Sequence, residues 1–203
     1  MVCAPDGGVT CGGRELLDRP VPEGGALWVD VEGYRPEHEQ LLASWGFHPL
    51  ALEDTFTLQH QPKVEEYADH LFLIVRGLDF NVRHTKEDVL GTLKLAAFLS
   101  AGRLVTVHRA PLKSVETVRR RVEESGRALP GGAPQLLWSI CDEMMDLYFP
   151  IVDDIGAEIE ELEAGVVDSP EHHHLERVLA LRRKLSTLRR AMLPHRQVFN
   201  HLA

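Results

Sequence analysis

The sequence predicts an α/β fold in which a mixed sheet is layered between helices and followed by a long antiparallel helical hairpin. Five segments, at residues 27–31, 63–67, 70–78, 90–99 and 103–108, have the alternating or continuous apolar character of strands, and helical patterns flank them. The last third of the chain instead places apolar residues at alternating spacings of three and four, which indicates long paired helices. The predicted division is an irregular segment (1–25), an α/β domain (26–133) and a helical hairpin (134–203).

The strands are predicted from their side-chain patterns. Residues 1–25 are rich in glycine and proline, and only a short strand around Val9–Cys11 is expected there. The run LWVDV at 27–31 alternates apolar and polar residues, as a strand with one buried face does. Leu71–Val75 is apolar throughout, which is typical of a strand covered on both faces. Ser100-Ala101-Gly102 is predicted to join the last two strands as a hairpin.

Three helices are expected around these strands. The first covers residues 36–45 and ends at Gly46, because glycine favours the C-terminal end of a helix. The second opens at Pro49, a residue suited to the first helical turn, and continues through about Phe56. The third covers residues 112–124.

Two heptad seams occupy the last third of the chain. Asp168–Glu171 separates them, and there Ser169 suits an N-cap and Pro170 a first helical position. Because so short a turn makes consecutive helices antiparallel neighbours, a hairpin is predicted. Pro194 lies inside the second helix, where a bend or local strain is expected. The first seam consists of Trp138, Cys141, Met145, Tyr148, Val152, Ile155, Ile159, Leu162 and Val166. The second consists of Val178, Leu181, Leu185, Leu188, Met192, His195, Phe199 and Leu202.

The two predicted helices carry opposite charge. One interpretation is a solvated hairpin joined by surface ion pairs, each of which contributes little. The other is a movable electrostatic device. The acidic residues are Asp153, Asp154, Glu158, Glu160, Glu161 and Glu163, and the basic ones are Arg177, Arg182, Arg183, Lys184, Arg189, Arg190 and Arg196.

Charge and composition argue against several classes of protein. A formal net charge of −9 and a pI near 5.6 argue against a nucleic-acid partner, because such affinity depends largely on lysine and arginine neutralising phosphates. Three cysteines at no metal-ligand spacing indicate neither a disulfide framework nor a zinc knuckle. The longest apolar runs are far shorter than the roughly 20 residues of a membrane helix, so a soluble polypeptide is expected.

The second seam is still in phase at Leu202, and the sequence stops at Ala203 without a cap, a glycine or a polar tail. We therefore expect this sequence to be a fragment cut within a long helix.

Several motifs in order along the chain resemble the cytosolic region of the CorA family of divalent-cation channels. HPLALEDTFTLQHQPKVEEYADHLFLIVRGL contains a His-Pro-Leu-x-x-Glu-Asp helix, a Pro-Lys-Val-Glu strand and an apolar strand. The similarity continues through LWSICDEMMDLYF, IGAEIEELEAGVVDSPE and LRRKLSTLRRAMLPHRQVF, over roughly residues 27–202. It implies a cytosolic domain on a stalk helix, at the cytoplasmic face of the inner membrane. It also implies a homopentamer whose membrane helices and Gly-Met-Asn signature would follow residue 203.

The same resemblance implies a regulatory site for a divalent cation between subunits, with Glu53, Asp54 and Asp142 as ligands. The ion would be Mg²⁺, with Co²⁺ or other divalent cations as possible occupants. Mg²⁺ prefers oxygen ligands and keeps several waters, which suits a weak site that senses an abundant ion. Without the resemblance, adjacent acids such as Glu53 and Asp54 would be read as two solvated side chains.

Other residues are weaker candidates. Asp146 lies one turn after Asp142 and is a secondary candidate for the site, whereas Glu65, Glu66 and Asp69 are expected to be surface acids with Lys63 as a local partner. Consecutive helical residues point in different directions, so His172, His173 and His174 are expected to be a polar first turn rather than a metal site. His195 is expected to be packed or hydrogen-bonded, and Cys141 to lie in the core.

Three alternatives remain open. A zinc transporter related to ZntB would share the hairpin, although the His48–Asp54 pattern favours magnesium. A soluble adaptor whose hairpin docks a partner coiled coil would need no membrane part. An enzyme is not expected, because no catalytic triad, phosphate loop or reactive cysteine stands at a recognisable spacing.

Overall fold

One mixed sheet organises the molecule. The structure, a computed structural model, describes residues 1–4, 8–17, 21, 23–58, 60–78, 91–125, 131–168 and 172–202. It describes the side chains of all these residues except 166–168, 172 and 173. The strands are β1 (Val2–Cys3), β2 (Val9–Thr10), β3 (Ala26–Glu32), β4 (Lys63–Glu66), β5 (Leu71–Leu78), β6 (Thr92–Ser100) and β7 (Arg103–His108). Their order is β2-β1-β3-β7-β6-β5-β4. β3 and β7 are parallel and the other pairs are antiparallel, which confirms the predicted mixed sheet.

Helices cover both faces of this sheet. They are α1 (Pro36–Ser44), α2 (Pro49–Phe56), α3 (Lys113–Ser125), α4 (Gly132–Asp146), α5 (Phe149–Asp168) and α6 (His172–Leu202). Side chains alternate between the two faces of a strand. In β5, Phe72 and Ile74 pack with α1 and α2, whereas Leu73 and Val75 pack with α3 and α4. The predicted α/β/α layering is therefore confirmed.

The prediction of one continuous helical seam from Trp138 to Val166 is wrong, because α4 ends at Asp146 and α5 begins at Phe149. Pro150 explains the break: it lacks the N–H that would continue the hydrogen bonding of α4, and its ring would clash with the carbonyl four residues earlier. Trp138, predicted to lie in the seam, is 59% exposed.

α5 and α6 form the predicted antiparallel hairpin. Arg177 contacts Glu161 at 3.0 Å, and Lys184, one heptad further along α6, contacts Glu158, which lies earlier on α5. The predicted turn at residues 169–171 lies outside the described residues. A shared hydrophobic cluster holds the hairpin and includes Leu78, Tyr148, Ile155, Leu162, Leu181 and Leu188.

α6 continues as one helix through Pro194. Its C-terminal part returns to the sheet, where Val198 is buried in the same cluster as α3 and α4. None of the described helices combines the length and the apolar character that a bilayer crossing requires.

Candidate divalent-ion site

α2 presents the first two predicted ligands at the edge of its layer. The side chain of His48 caps the helix by accepting the backbone N–H of Leu50 at 3.2 Å, and Pro49 suits the first turn. The buried face of α2 packs on the sheet through residues such as Ala51 and Leu52. The helix thereby leaves the side chain of Glu53 in solvent.

Asp54 is half-buried, and both of its carboxylate oxygens already have partners. His60 Nε2 lies 2.6 Å from Oδ1, and Lys63 Nζ donates to Oδ2. Lys63 also donates to Glu65 Oε1 at 2.8 Å. Burial disfavours the charge of Lys63, but the hydrogen bonds to Asp54 and Glu65 outweigh it and raise the pKa of the ammonium. A cation that binds Asp54 must therefore share or displace partners of the same chain.

Two further cations lie beneath the end of α2. Lys94 on β6 is buried and donates to the backbone carbonyls of Asp54 and Thr57. Arg76, its cross-strand neighbour on β5, donates from Nη1 to the carbonyl of His60 at 3.2 Å. The carbonyl end of a helix attracts cations, which explains this placement. Burial lowers the pKa of Lys94 to about 8, and the charge of Arg76 adds to the effect.

Asp142 lies on the opposite side of the molecule. It is exposed on α4, next to Cys141, which is buried against the face of the sheet that α2 does not cover. Because the sheet separates α2 from α4, one copy of the chain cannot bring Asp142 to Asp54. Among the residues that the structure describes, no three histidine, cysteine or acidic side chains converge as a metal site.

The exposed carboxylates nonetheless suit a hard ion. Glu53, Asp142 and Asp146 are exposed and offer only oxygen donors, the type that Mg²⁺ prefers. The imidazole of His60, whose Nε2 lies beside the Asp54 carboxylate, is a nitrogen ligand and would suit zinc better. The donors exposed on α2 and on α4 are therefore of the type that a divalent cation such as Mg²⁺ binds.

Several residues of this region were not predicted from the sequence. Lys94 is a lysine within the apolar run LKLAAFL, which was a signal of a buried charge with a function. His60 and Arg76 carried no comparable signal, because their partners are backbone carbonyls and a side chain that only the fold brings near.

The remaining candidates are placed as follows. Cys141 is buried, as predicted, and burial raises the pKa of its thiol to about 12. His195 is buried and hydrogen-bonded, as predicted. His174 is buried on α6 rather than part of a polar surface, whereas the side chains of His172 and His173 lie outside the described residues.

Comparisons with known proteins bear on the family and the fold of this chain. The family model described as CorA-like Mg²⁺ transporter protein matches residues 23–203. The cobalt/magnesium transport protein CorA of Thermotoga maritima is 28% identical over 178 residues, which are 86% of this chain and 50% of that protein. The zinc transport protein ZntB of Yersinia pseudotuberculosis is 25% identical over 177 residues, or 87% of this chain and 52% of that protein.

A solved structure, that of the full-length CmaX protein, has the same fold. It matches with a TM-score of 0.82 at 23% identity and covers 100% of this chain and 62% of that chain. The chain therefore spans about half the length of the curated relatives that it matches.

Proposed function

Because this chain belongs to the family of CorA-like Mg²⁺ transporter proteins, we propose that it is the cytosolic ion-sensing part of a divalent-cation channel. The channel would be a homopentamer in the inner membrane and would transport Mg²⁺ or Co²⁺. The cobalt/magnesium relative supports this choice of ion, and its length supports a membrane part outside residues 1–203.

One observation carries the proposal: the predicted ligands lie on opposite faces of one sheet. Glu53 and Asp54 are on α2, whereas Asp142 is on α4. In a ring of identical copies, the α2 surface of each copy can face the α4 surface of the next. A cation bound between them would neutralise carboxylates that otherwise repel each other across the interface.

Ion binding would then regulate the channel by mass action. A ligand that prefers one arrangement of the copies shifts the population toward it. When the cation is abundant, bridged copies hold a symmetric, closed arrangement; when it is scarce, repulsion between carboxylates loosens the ring. The cytosolic concentration of the transported ion would thereby limit its own entry.

Zinc is the second candidate ion. The ZntB relative and the position of His60 beside Asp54 favour it, because zinc accepts nitrogen ligands readily. The carboxylates of Glu53 and Asp142 favour magnesium, which binds through oxygen and retains water.

Isothermal titration calorimetry with Mg²⁺ and Zn²⁺ tests the proposal. We expect Mg²⁺ binding at millimolar or lower concentrations, weakened about tenfold or more by Asp54→Asn or Asp142→Asn, since each removes one charge from the site. Glu123→Gln, a change in an acid of α3, serves as the control. Equal Mg²⁺ affinity in all variants would contradict the assigned site, and loss of Zn²⁺ binding alone would favour the zinc alternative.

A further inference from the structure

Arg76 on β5 is hydrogen-bonded to four separate parts of the chain. Its backbone N–H donates to His195 Nε2 on α6 at 2.9 Å, and its carbonyl accepts the hydroxyl of Tyr148, between α4 and α5, at 2.9 Å. Its guanidinium donates to His60 and to Thr92 at the start of β6.

The end of β4 explains why the backbone of Arg76 is available. β4 pairs with β5 only as far as Lys63, which lies opposite Ile74. Beyond Ile74, one side of β5 is an edge whose backbone groups need partners when they are buried. His195 and Tyr148 supply these partners. The hairpin is thus joined to the sheet by hydrogen bonds as well as by apolar packing.

The bonds of His195 determine its tautomer. Nε2 accepts the N–H of Arg76, so it carries no proton, and Nδ1 lies 2.9 Å from the carbonyl of Ala191, so it donates. The ring is buried and stacked on Phe199 at 6.0 Å between centroids. The ring of His195 is therefore held by a hydrogen bond at each of its two nitrogens.

The guanidinium of Arg76 is equally constrained. Nε donates to Thr92 Oγ1 and Nη2 to the Thr92 carbonyl, both at 2.8 Å, while Nη1 donates to the carbonyl of His60 at 3.2 Å. The side chain of His60 lies 2.6 Å from the Asp54 carboxylate. A continuous series of contacts therefore runs from Asp54 through His60 and Arg76 to α6.

We propose that Arg76 is a positioning residue that couples the loop beside Asp54 to the α6 helix, so that cation binding changes how α6 is held against the sheet. This inference rests on the proposed function, since it concerns the same site. A cation at Asp54 must share or displace His60 and Lys63. A shift of His60 changes the hydrogen bond from Arg76, whose own backbone holds His195.

Replacing Arg76 by lysine separates the effect of its positive charge from the effect of its hydrogen-bond geometry. An ammonium keeps the positive charge beside Lys94 but cannot bond to Thr92 and His60 in the planar arrangement of a guanidinium. Arg76→Lys therefore loosens the contact with His60, while Asp54, Glu53 and Asp142 remain unchanged.

Hydrogen exchange measured by mass spectrometry, with and without saturating Mg²⁺, tests the coupling in the 203-residue chain. In the parent, we expect Mg²⁺ to slow exchange in residues 188–199 by about fivefold or more. In Arg76→Lys, calorimetry should still show Mg²⁺ binding, while the slowing in residues 188–199 is lost. Arg177→Lys, which alters an arginine of the hairpin paired with Glu161, should behave as the parent does.

The outcomes separate the coupling from the proposed function. Slowing that persists in Arg76→Lys overturns the coupling and leaves the ion site intact. If the parent binds Mg²⁺ without any change in residues 188–199, the coupling is also overturned. If the parent binds no Mg²⁺, the proposed function fails and the coupling with it. Should Arg76→Lys fail to fold, Thr92→Val decides in the same way, because it removes the hydroxyl that accepts from Nε and orients the Arg76 guanidinium toward His60.

Discussion

At the scale of single residues, buried His108 and half-buried Asp30 form a polar pair that was not predicted from the sequence. His108 Nε2 lies 3.1 Å from Asp30 Oδ1, and its Nδ1 lies 2.8 Å from the carbonyl of Ala110. Both partners can accept a hydrogen bond, so this site favours the doubly protonated, positively charged form of the ring. Thr106 and Trp28 extend this network, with the hydroxyl of Thr106 donating to Asp30 and Trp28 Nε1 donating to Thr106.

This pair makes stability depend on pH. Burial opposes the charge of His108, but the bond to Asp30 outweighs it and raises the pKa of the imidazole. A raised folded-state pKa gives stabilisation that is complete below the unfolded pKa of about 6.5 and is lost as the pH rises through the folded value. We therefore expect the parent to exceed His108→Gln in free energy of unfolding by more at pH 6 than at pH 9, measured by urea denaturation. A constant difference across this range would contradict the prediction.

Lys63 is expected to compete with divalent cations for Asp54. Its ammonium bonds to the Asp54 carboxylate, so replacing it by methionine removes a positive charge from the proposed site. We predict that Lys63→Met lowers the dissociation constant for Mg²⁺ about threefold to tenfold, a modest gain because the pair is partly exposed and therefore screened. Lys184→Met, which breaks the exposed pair with Glu158, is the matched control. Weaker Mg²⁺ binding in Lys63→Met than in Lys184→Met would refute the competition.

At the scale of elements, α6 buries only part of its predicted seam. Leu181, Leu188 and His195, spaced by seven, are buried, whereas Val178 and Leu185 are more than 40% exposed. The heptad spacing correctly predicted an apolar helix face. It did not show which part of that face contacts α5, because in sequence the two positions of the repeat look alike.

Two leucines of α6 test this difference. Leu181 is 5% exposed and Leu185 is 43% exposed. Leu181→Ala should lower the free energy of unfolding by about 3 kcal/mol, because it leaves a cavity in the hairpin core. Leu185→Ala should cost less than about 1 kcal/mol, because alanine favours helices and little burial is lost. Chemical denaturation of both variants measures the two losses. Similar losses in the free energy of unfolding would show that α5 and α6 pack in a different register.

The sheet and most helices could be predicted because their patterns are local. The bounds of the predicted strands agree with the structure to within about two residues, and the helix at Pro49 ends at Phe56 as predicted, whereas β1 was not predicted. The break between α4 and α5 was not predicted, although Pro150 was visible. A heptad pattern continues across such a break in the sequence, so its spacing alone does not show where one helix ends and the next begins.

At the scale of the whole molecule, the resemblance named the candidate ligands and implied a site between subunits, but it did not show on which faces of the sheet the ligands lie. Glu53 and Asp54 were expected at one site with Asp142, and the fold places α2 and α4 on opposite faces of the sheet. Two of the cations near the end of α2, Arg76 and Lys94, also come from strands distant in sequence. Neither feature has a local sequence signal, because both depend on the order of strands in the sheet.

The central claim, that the ion site is shared between copies of the chain, can be tested by mixing two variants. If each site takes α2 from one copy and α4 from the next, a chain with Glu53→Gln and Asp54→Asn lacks one half of every site, and a chain with Asp142→Asn lacks the other half. Each variant alone should bind Mg²⁺ weakly. In a mixed assembly, however, the intact α2 of the second variant can face the intact α4 of the first.

The most direct measurement is therefore Mg²⁺ calorimetry on the two variants separately and after they are mixed in equal amounts and allowed to exchange copies. We predict that mixing restores strong Mg²⁺ binding to about one quarter of the sites, the fraction of random interfaces with both halves intact. Binding by the mixture that equals the average of the separate variants would contradict a site shared between copies.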